Sequence, residues 1–458
     1  MENSNKKVSL LEMTLFTVCG ILVIDTFVAP SIIGVSGITI WLITALFYFL
    51  PYGLINAELG SAYPEDGGIF NWVKRAFGEF WATIVGWFYW FNVALWMPAV
   101  YVAFVTWFSY AFYPEMPKIA LAATAIALSW LTAFIGVRGV ELGVKFTNLG
   151  AIIKVGILLM FGIMGAVYGM KYGFKNDFSL SSFIPSFDNA LLYAPAIVYN
   201  FCGFELISSI ASKIENPGKN IPKMTVLAGT LIAGLYIIGT FGILAALPVD
   251  AIDPVNGFIM SAQELTTIFG DFGPIVFKIM VLAGCFSLIT NMISWTMGGT
   301  EVLSAADLDS KAPGLLGHKH SVYGTPDYSY YILATVSTAM LILNYSLSDS
   351  AAEIFWTILA FSFVLFLIPY LFLFPAALKL RLADQSVERP YKIPGGTLGI
   401  KLAAISGECF VILAIALLFL PDDSYNLWVY YPTLIVGTIL SAAAGVAVYR
   451  SGQKRSGK

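Results

Sequence analysis

The sequence predicts an all-α integral membrane protein with twelve transmembrane helices, and three observations carry that prediction. Of its 458 residues, 58% are apolar and only 12% are charged, about half the charged share of a soluble globular protein. The apolar residues fall in long runs, each able to cross a hydrocarbon core about 30 Å thick, which takes about 20 helical residues. The connections between runs are short: the longest, 61–79, 249–271 and 300–327, are too small to form soluble domains.

The expected spans are 11–36, 38–60, 80–112, 118–136, 143–170, 188–211, 224–248, 272–299, 328–346, 353–378, 399–420 and 426–449. A tail of residues 1–10 precedes them and one of 450–458 follows. The run after Lys6 and Lys7 continues past Pro30 without a small-residue cleavage pattern, so the first span is expected to be retained. Positive charge then orients the chain. Lys118, Lys171 and Lys175 fall on one side and Lys154 and Lys278 fall within spans, while every other lysine and arginine lies on the opposite side together with both termini. By the positive-inside rule that side is cytoplasmic. The outer connections are acidic, with Asp250, Asp253, Glu264, Asp271, Asp349, Asp422 and Asp423, a weak attractor of cations or simply a solvated surface.

Several functions are excluded by what the sequence holds. A net charge of −3 gives no cationic surface for a nucleic-acid partner. No phosphate-binding loop is present to draw on nucleotide energy, and no selectivity-filter repeat or charged ring suggests a channel. His318 and His320 share one loop, leaving no histidine within a span for metal binding or acid–base chemistry, and no cofactor is called for. Cys19, Cys202, Cys285 and Cys409 lie in apolar segments without metal-ligand spacing and read as small core residues. The remaining class is a secondary transporter, not an enzyme, driven by solute or proton gradients.

Ionisable groups within spans cost about 2.5–3.5 kcal/mol each on insertion scales and mark functional sites unless they lie near an interface. Asp25, Glu58, Lys154, Glu205 and Glu408 are the five that matter. Glu58, at the end of the second span, reads as an interfacial structural carboxylate. Glu408 has no nearby polar company and is given no role. Asp25 lies midway along the first span, five residues before the helix-breaking Pro30. The sixth span has a comparable irregularity at 195–203, with Tyr199, Asn200 and Glu205 close by. Paired interruptions at equivalent positions of two five-span repeats point to a binding site. A structural pairing of Asp25 with Lys154 is the competing reading.

These residues resemble the amino acid–polyamine–organocation transporters over nearly the whole chain. Ala57 to Trp72 is similar to the family's second-span signature, and Tyr199-Asn200-Phe201-Cys202-Gly203-Phe204-Glu205, continuing to Glu215-Asn216-Pro217-Gly218-Lys219-Asn220-Ile221-Pro222, to its sixth-span core and exit. The resemblance implies a leucine-transporter-type fold working by alternating access. A ten-helix transport core would occupy 11–378, as inverted five-helix repeats at about 11–170 and 188–378, with two additional helices at 399–449. The nearer relatives it suggests are bacterial exchangers of a decarboxylase substrate for its product. Pro394-Gly395-Gly396 and Leu420-Pro421-Asp422-Asp423 are similar to the glutamate/GABA branch. By similarity to the arginine/agmatine branch, Tyr199 and Trp295 would hold substrate while Tyr89, Glu205 and Tyr370 form the gate. Asn92, Val93 and Met97 would face substrate from the third span, Ile24, Phe201 and Cys202 from the interrupted segments. Lys154 matches a lysine of sodium-independent members whose ammonium stands in for sodium.

One departure from the family pattern sets the expected substrate. Where many members have a Gly-Ser-Gly-type segment receiving a carboxylate, this chain has Val23, Ile24 and Asp25. A fixed carboxylate in a low-dielectric cavity repels another carboxylate and attracts an ammonium or guanidinium group. Exchange of agmatine for putrescine, or of related cationic amines, is therefore expected. The alternatives are a tyrosine/tyramine- or histidine/histamine-like exchanger, in which Asp25 binds the shared amine, or a general amino acid permease. The expected partners are these small solutes and the lipid bilayer of a bacterial cell membrane. The oligomeric state stays open, a homodimer being compatible with the sequence.

Overall fold

In a computed structural model the chain is helical nearly throughout. The structure describes residues 7–24, 26–253, 256–305, 316, 318–346, 349–420 and 426–455, with the backbone alone for 187–192, 349–356 and 452–455. Asp25, Asp422 and Asp423, on which expectations above rest, lie outside the described residues. The only β pairing among the described residues is an isolated bridge between Val8 and Ile214.

The first half runs through α1 (Leu10–Ile21), α2 (Ser36–Ala62), the short α3 (Ile69–Phe77), α4 (Glu79–Phe112), α5 (Lys118–Arg138) and α6 (Val140–Tyr172). The second half holds α7 (Phe187–Asn200), a 3₁₀ segment (Phe204–Lys213), α8 (Pro217–Ala246), α9 (Gly257–Thr266), α10 (Gly273–Ala305), α11 (Asp327–Tyr345), α12 (Asp349–Leu367) and α13 (Tyr370–Ala383). Two further helices, α14 (Gly396–Leu418) and α15 (Leu427–Arg455), complete the chain. By length and composition 10 helices among the described residues can cross a membrane. Twelve were expected: α1 is a shorter apolar helix, and α11 is not one of the ten. The bundle is thus a multi-pass membrane protein, with the count of twelve crossings not reached on this criterion.

Local chemistry explains the two interruptions. Ser9 caps α1, its backbone N–H donating to Glu12 Oε2 at 2.9 Å while its hydroxyl accepts the Glu12 N–H, a reciprocal arrangement that satisfies two orphan donors. The α-helix then stops at Ile21, nine residues before Pro30, and Pro30 instead sits in the opening turn of a 3₁₀ segment, Ala29–Ile33. The break therefore precedes the proline rather than starting from it. In the sixth segment Pro195 is accommodated inside α7, and the helix ends at Asn200. Gly203 makes the turn at φ +125°, and a Cβ there would lie 3.1 Å from Ile21 Cγ1 and 3.2 Å from the Trp295 ring, so only glycine fits.

Close helix contact relies on small residues, as expected where lipid supplies no hydrophobic drive between helices. Gly165 of α6 faces Gly242 of α8, where an added Cβ would come within 2.7 Å of the opposing Cα. Three of the four cysteines are buried as expected, whereas Cys409 is exposed on α14, whose outer positions Leu402, Ile405 and Ile412 are exposed as well. The reading of Cys409 as a core residue is corrected accordingly: this face of α14 points away from the bundle.

Candidate functional site

The two unwound stretches meet at the centre of the bundle, and a single tyrosine holds both. The Tyr236 hydroxyl of α8 accepts the Val23 N–H at 2.9 Å and lies 2.6 Å from the Ile21 carbonyl and 3.2 Å from that of Asn200. Its ring stacks on Trp41 at 4.4 Å. Thr26 and Asn200 tie the stretches directly: the Thr26 hydroxyl donates to Asn200 Oδ1, and Asn200 Nδ2 donates to the Thr26 carbonyl at 3.3 Å. Backbone groups freed by unwinding inside a bundle need such partners.

Glu205, fully buried, closes one end of this centre. Tyr89 and Tyr370 donate to its Oε1 at 2.6 and 2.7 Å, and Tyr52 donates to its Oε2. Both oxygens thus act as acceptors from three helices, α2, α4 and α13. Tyr89 and Tyr370 were expected on resemblance, whereas Tyr52 was not. Its hydroxyl also accepts the N–H groups of Gly203 and Phe204 at 3.0 and 2.8 Å, so it satisfies the backbone that unwinding exposes while holding the carboxylate. Nothing in the spacing of Tyr52 along α2 signals a partner in the sixth segment.

Next to this cluster lies a group of rings, buried except for the half-buried Phe363. Tyr199 packs on Phe363 at 4.4 Å and Phe366 at 4.9 Å between centroids, and Trp295 meets Phe366 at 5.2 Å and Tyr89 at 6.1 Å. Trp96 stands edge-on to both Tyr199 and Trp295 at 5.8 Å. The indole N–H of Trp295 donates to the Gly20 carbonyl at 2.9 Å, fixing it to the first segment. Trp96, Phe363 and Phe366 were missed in the sequence. For Trp96 a signal existed, because residues 89, 92, 93 and 96 share one helical face.

The remaining expected site residues divide. Asn92, Val93 and Met97 are buried on α4, Val93 lies against Gly299 of α10, and the Asn92 amide has no hydrogen-bond partner among the described residues. Ile24 is buried in the unwound first segment. Phe201 turns to the other side, its ring against Phe49 at 4.3 Å, Trp41 at 5.0 Å and Tyr236 at 5.7 Å. Cys202 meets the Tyr48 hydroxyl at 3.0 Å. Neither side chain has a described contact with the Tyr199 ring group, although the Cys202 N–H donates to the Tyr199 carbonyl at 3.1 Å. Lys154, fully buried, donates to the Cys19 carbonyl at 2.6 Å and to Asn291 Oδ1 at 2.7 Å, which joins α6 to the first and eighth segments. Its alternative pairing with Asp25 involves a residue outside those described.

Glu58 and Glu408 have different surroundings. Glu58 is buried and receives Arg381, Arg389 Nε at 3.3 Å and the Ile393 N–H at 2.8 Å. Arg389 spends its other donors on the carbonyls of Leu380, Asp384 and Val387. The Tyr63 hydroxyl donates to Asp384 Oδ2 at 2.9 Å, and burial together with that bond pushes its pKa up to about 12. One carboxylate therefore binds the end of α2 to the end of α13 and the stretch that follows. Glu408 Oε2 is buried without a hydrogen-bond partner among the described residues.

Comparison with known proteins fits this architecture. The model of a family described as amino acid permease matches residues 8–441. A probable agmatine/putrescine antiporter of Lactococcus lactis subsp. lactis is 30% identical over 98% of this chain and 96% of its own length. A glutamate/gamma-aminobutyrate antiporter of the same organism is 24% identical over 99% of this chain and 92% of its own. Among solved structures, a mutant manganese transporter of Eremococcus coleocola superposes with a TM-score of 0.62 at 12% identity, covering 97% of this chain and 94% of that one, a likeness of fold. With helices interrupted in the first and sixth segments, a buried tyrosine cluster around Glu205 and a family match over almost all its length, this chain is a transporter of leucine-transporter-type fold and belongs to the amino acid permease family.

Proposed function

We propose that the protein exchanges a cationic amine for a related amine, in the manner of agmatine/putrescine antiport, across a bacterial cell membrane with both termini cytoplasmic. The observation that carries this reading is the ring group of Tyr199, Trp295, Trp96 and Phe366, all buried, with the half-buried Phe363, beside the two unwound segments. Aromatic faces attract ammonium and guanidinium groups by about 2 kcal/mol or more when desolvated. Asp25, in the sequence of the first of those segments, supplies a counter-charge of the right sign for one end of a dication. A charge-assisted hydrogen bond of that kind contributes roughly 1.5–3 kcal/mol. The relative described as a probable agmatine/putrescine antiporter supports the same direction.

In the cycle, substrate enters from outside and binds between Asp25 and the rings. The first and sixth segments then hinge where they are unwound, with Tyr236 keeping their backbones in register. Release inward requires Tyr52, Tyr89 and Tyr370 to leave Glu205, whose protonation would weaken its acceptor role and favour opening. Lys154 occupies the place of a coupling cation, so exchange needs no sodium. Net drive comes from the opposed gradients of the two amines, because a carrier that returns only when loaded needs differential binding and no further energy source.

A second reading, exchange of an amino acid for its decarboxylation product, is favoured by the glutamate/gamma-aminobutyrate relative. Counterflow of labelled agmatine in proteoliposomes against amines and amino acids separates the two, with Asp25→Asn as the diagnostic variant. Agmatine exchange abolished by Asp25→Asn is the expected result. Uptake of neutral amino acids alone would sink the amine reading.

A further inference from the structure

The ring group has an unequal geometry that bears on which amines fit. Tyr199 and Trp295 are the two rings on which a flat guest would stack, and Trp96 already meets both of them edge-on, at interplanar angles of 77° and 89°. Its indole is 2% exposed. Phe363 and Phe366 also pack on Tyr199, at 4.4 and 4.9 Å, and Phe366 on Trp295 at 5.2 Å. A guest ring needs a place of its own at about 4.5–7 Å from Tyr199 or Trp295 between centroids, where Trp96, Phe363 and Phe366 already pack at 4.4 to 5.8 Å.

A slender chain has no such requirement. One turn from Trp96 on the same face of α4, the fully buried Asn92 amide has neither its N–H groups nor its oxygen bonded to the described residues. A linear chain lying along the indole edge would bring a terminal N–H group to that oxygen, and a buried unpaired amide favours a guest that satisfies it. A ring-bearing guest could reach the same amide only by displacing the indole.

We propose that Trp96 is the width filter of the central site, admitting unbranched alkyl chains with a cationic end and rejecting amines that carry an aromatic or heteroaromatic ring. This rests on the amine reading above and narrows it to the slender substrate class.

The test is proteoliposome uptake of putrescine and agmatine against tyramine and histamine, for the wild type, Trp96→Ala and Trp96→Phe, each expressed as a ratio within one preparation so that protein amount cancels. The wild type is expected to carry the linear amines at least tenfold faster than the ring-bearing ones. Trp96→Ala lowers that ratio at least fivefold by gaining tyramine and histamine uptake, and Trp96→Phe, which keeps a ring and is the safer fold, lowers it about twofold. A ratio unchanged in either variant that elutes as a single species, or a parallel loss of all four substrates, overturns the filter. Wild-type transport of amino acids without amines would end the amine reading instead, and the filter is then read on alanine against phenylalanine, with the same shift in ratio expected and its absence overturning it.

Discussion

Tyr52 shows how much one hydroxyl can hold. It receives two backbone N–H groups at the break of the sixth segment and donates to Glu205, so Tyr52→Phe strips partners from three buried groups at once. Each buried group left unpaired costs about 1–3 kcal/mol. Tyr52→Phe is therefore expected to lower the melting temperature by several degrees and transport at least tenfold. Tyr89→Phe leaves Glu205 with Tyr52 and Tyr370 and should impair transport with a smaller loss of stability. Melting curves and uptake on the same preparations check the ordering. Lys154 gives a second residue-level expectation: transport persists in sodium-free buffer, and Lys154→Ala reduces turnover more than apparent substrate affinity, because its ammonium joins α6 to the first segment and to α10. Glu205 and Lys154 were legible one at a time, since a carboxylate or lysine in an apolar run is conspicuous. Tyr52, Trp96, Phe363 and Phe366 were not, because aromatic residues are ordinary members of apolar spans and acquire a role only from what faces them.

Between elements, the interruptions and the salt-bridge cluster divide the work. Tyr236 joins α8 to both unwound stretches through three backbone groups, so Tyr236→Phe should leave the helices intact while uncoupling their motion. The expected outcome is retained substrate binding by thermal shift with counterflow reduced at least fivefold. The Glu58 cluster holds α2 against α13, with one buried carboxylate against two guanidinium groups. Removing one partner of a buried pair costs about 3–5 kcal/mol, because the other charge is left stranded. Glu58→Gln, which strands both guanidinium groups, should accordingly destabilise the fold by that order, and Arg389→Ala by less, since Arg381 still pairs with the carboxylate; denaturation in detergent measures both. Glu58 had been expected to be an interfacial structural carboxylate, and its two arginine partners lie more than 300 residues away in sequence, beyond the reach of any local pattern. The first break, too, was legible as an interruption yet misplaced relative to Pro30, because backbone partners from α8 allow the helix to end before the proline requires it.

At the scale of the whole molecule the orientation is open to direct measurement. Single cysteines replacing Lys175 and Lys392, in a background lacking Cys409, should react with a membrane-impermeant maleimide from opposite sides of the membrane, Lys175 from outside. Reaction of both from one side would reverse the charge-based reading. Composition, hydropathy and the placement of charge were enough to establish a helical, multi-pass membrane protein and the residues too polar for lipid, because the cost of burying charge in hydrocarbon falls residue by residue and leaves its mark on the chain directly. Which tyrosines meet Glu205, which rings gather around Tyr199, and why Phe201 turns towards Trp41 depended on the packing of helices distant in sequence, because ring contacts and hydrogen bonds between helices are set by rotation and crossing, quantities that no single helix carries in its own periodicity.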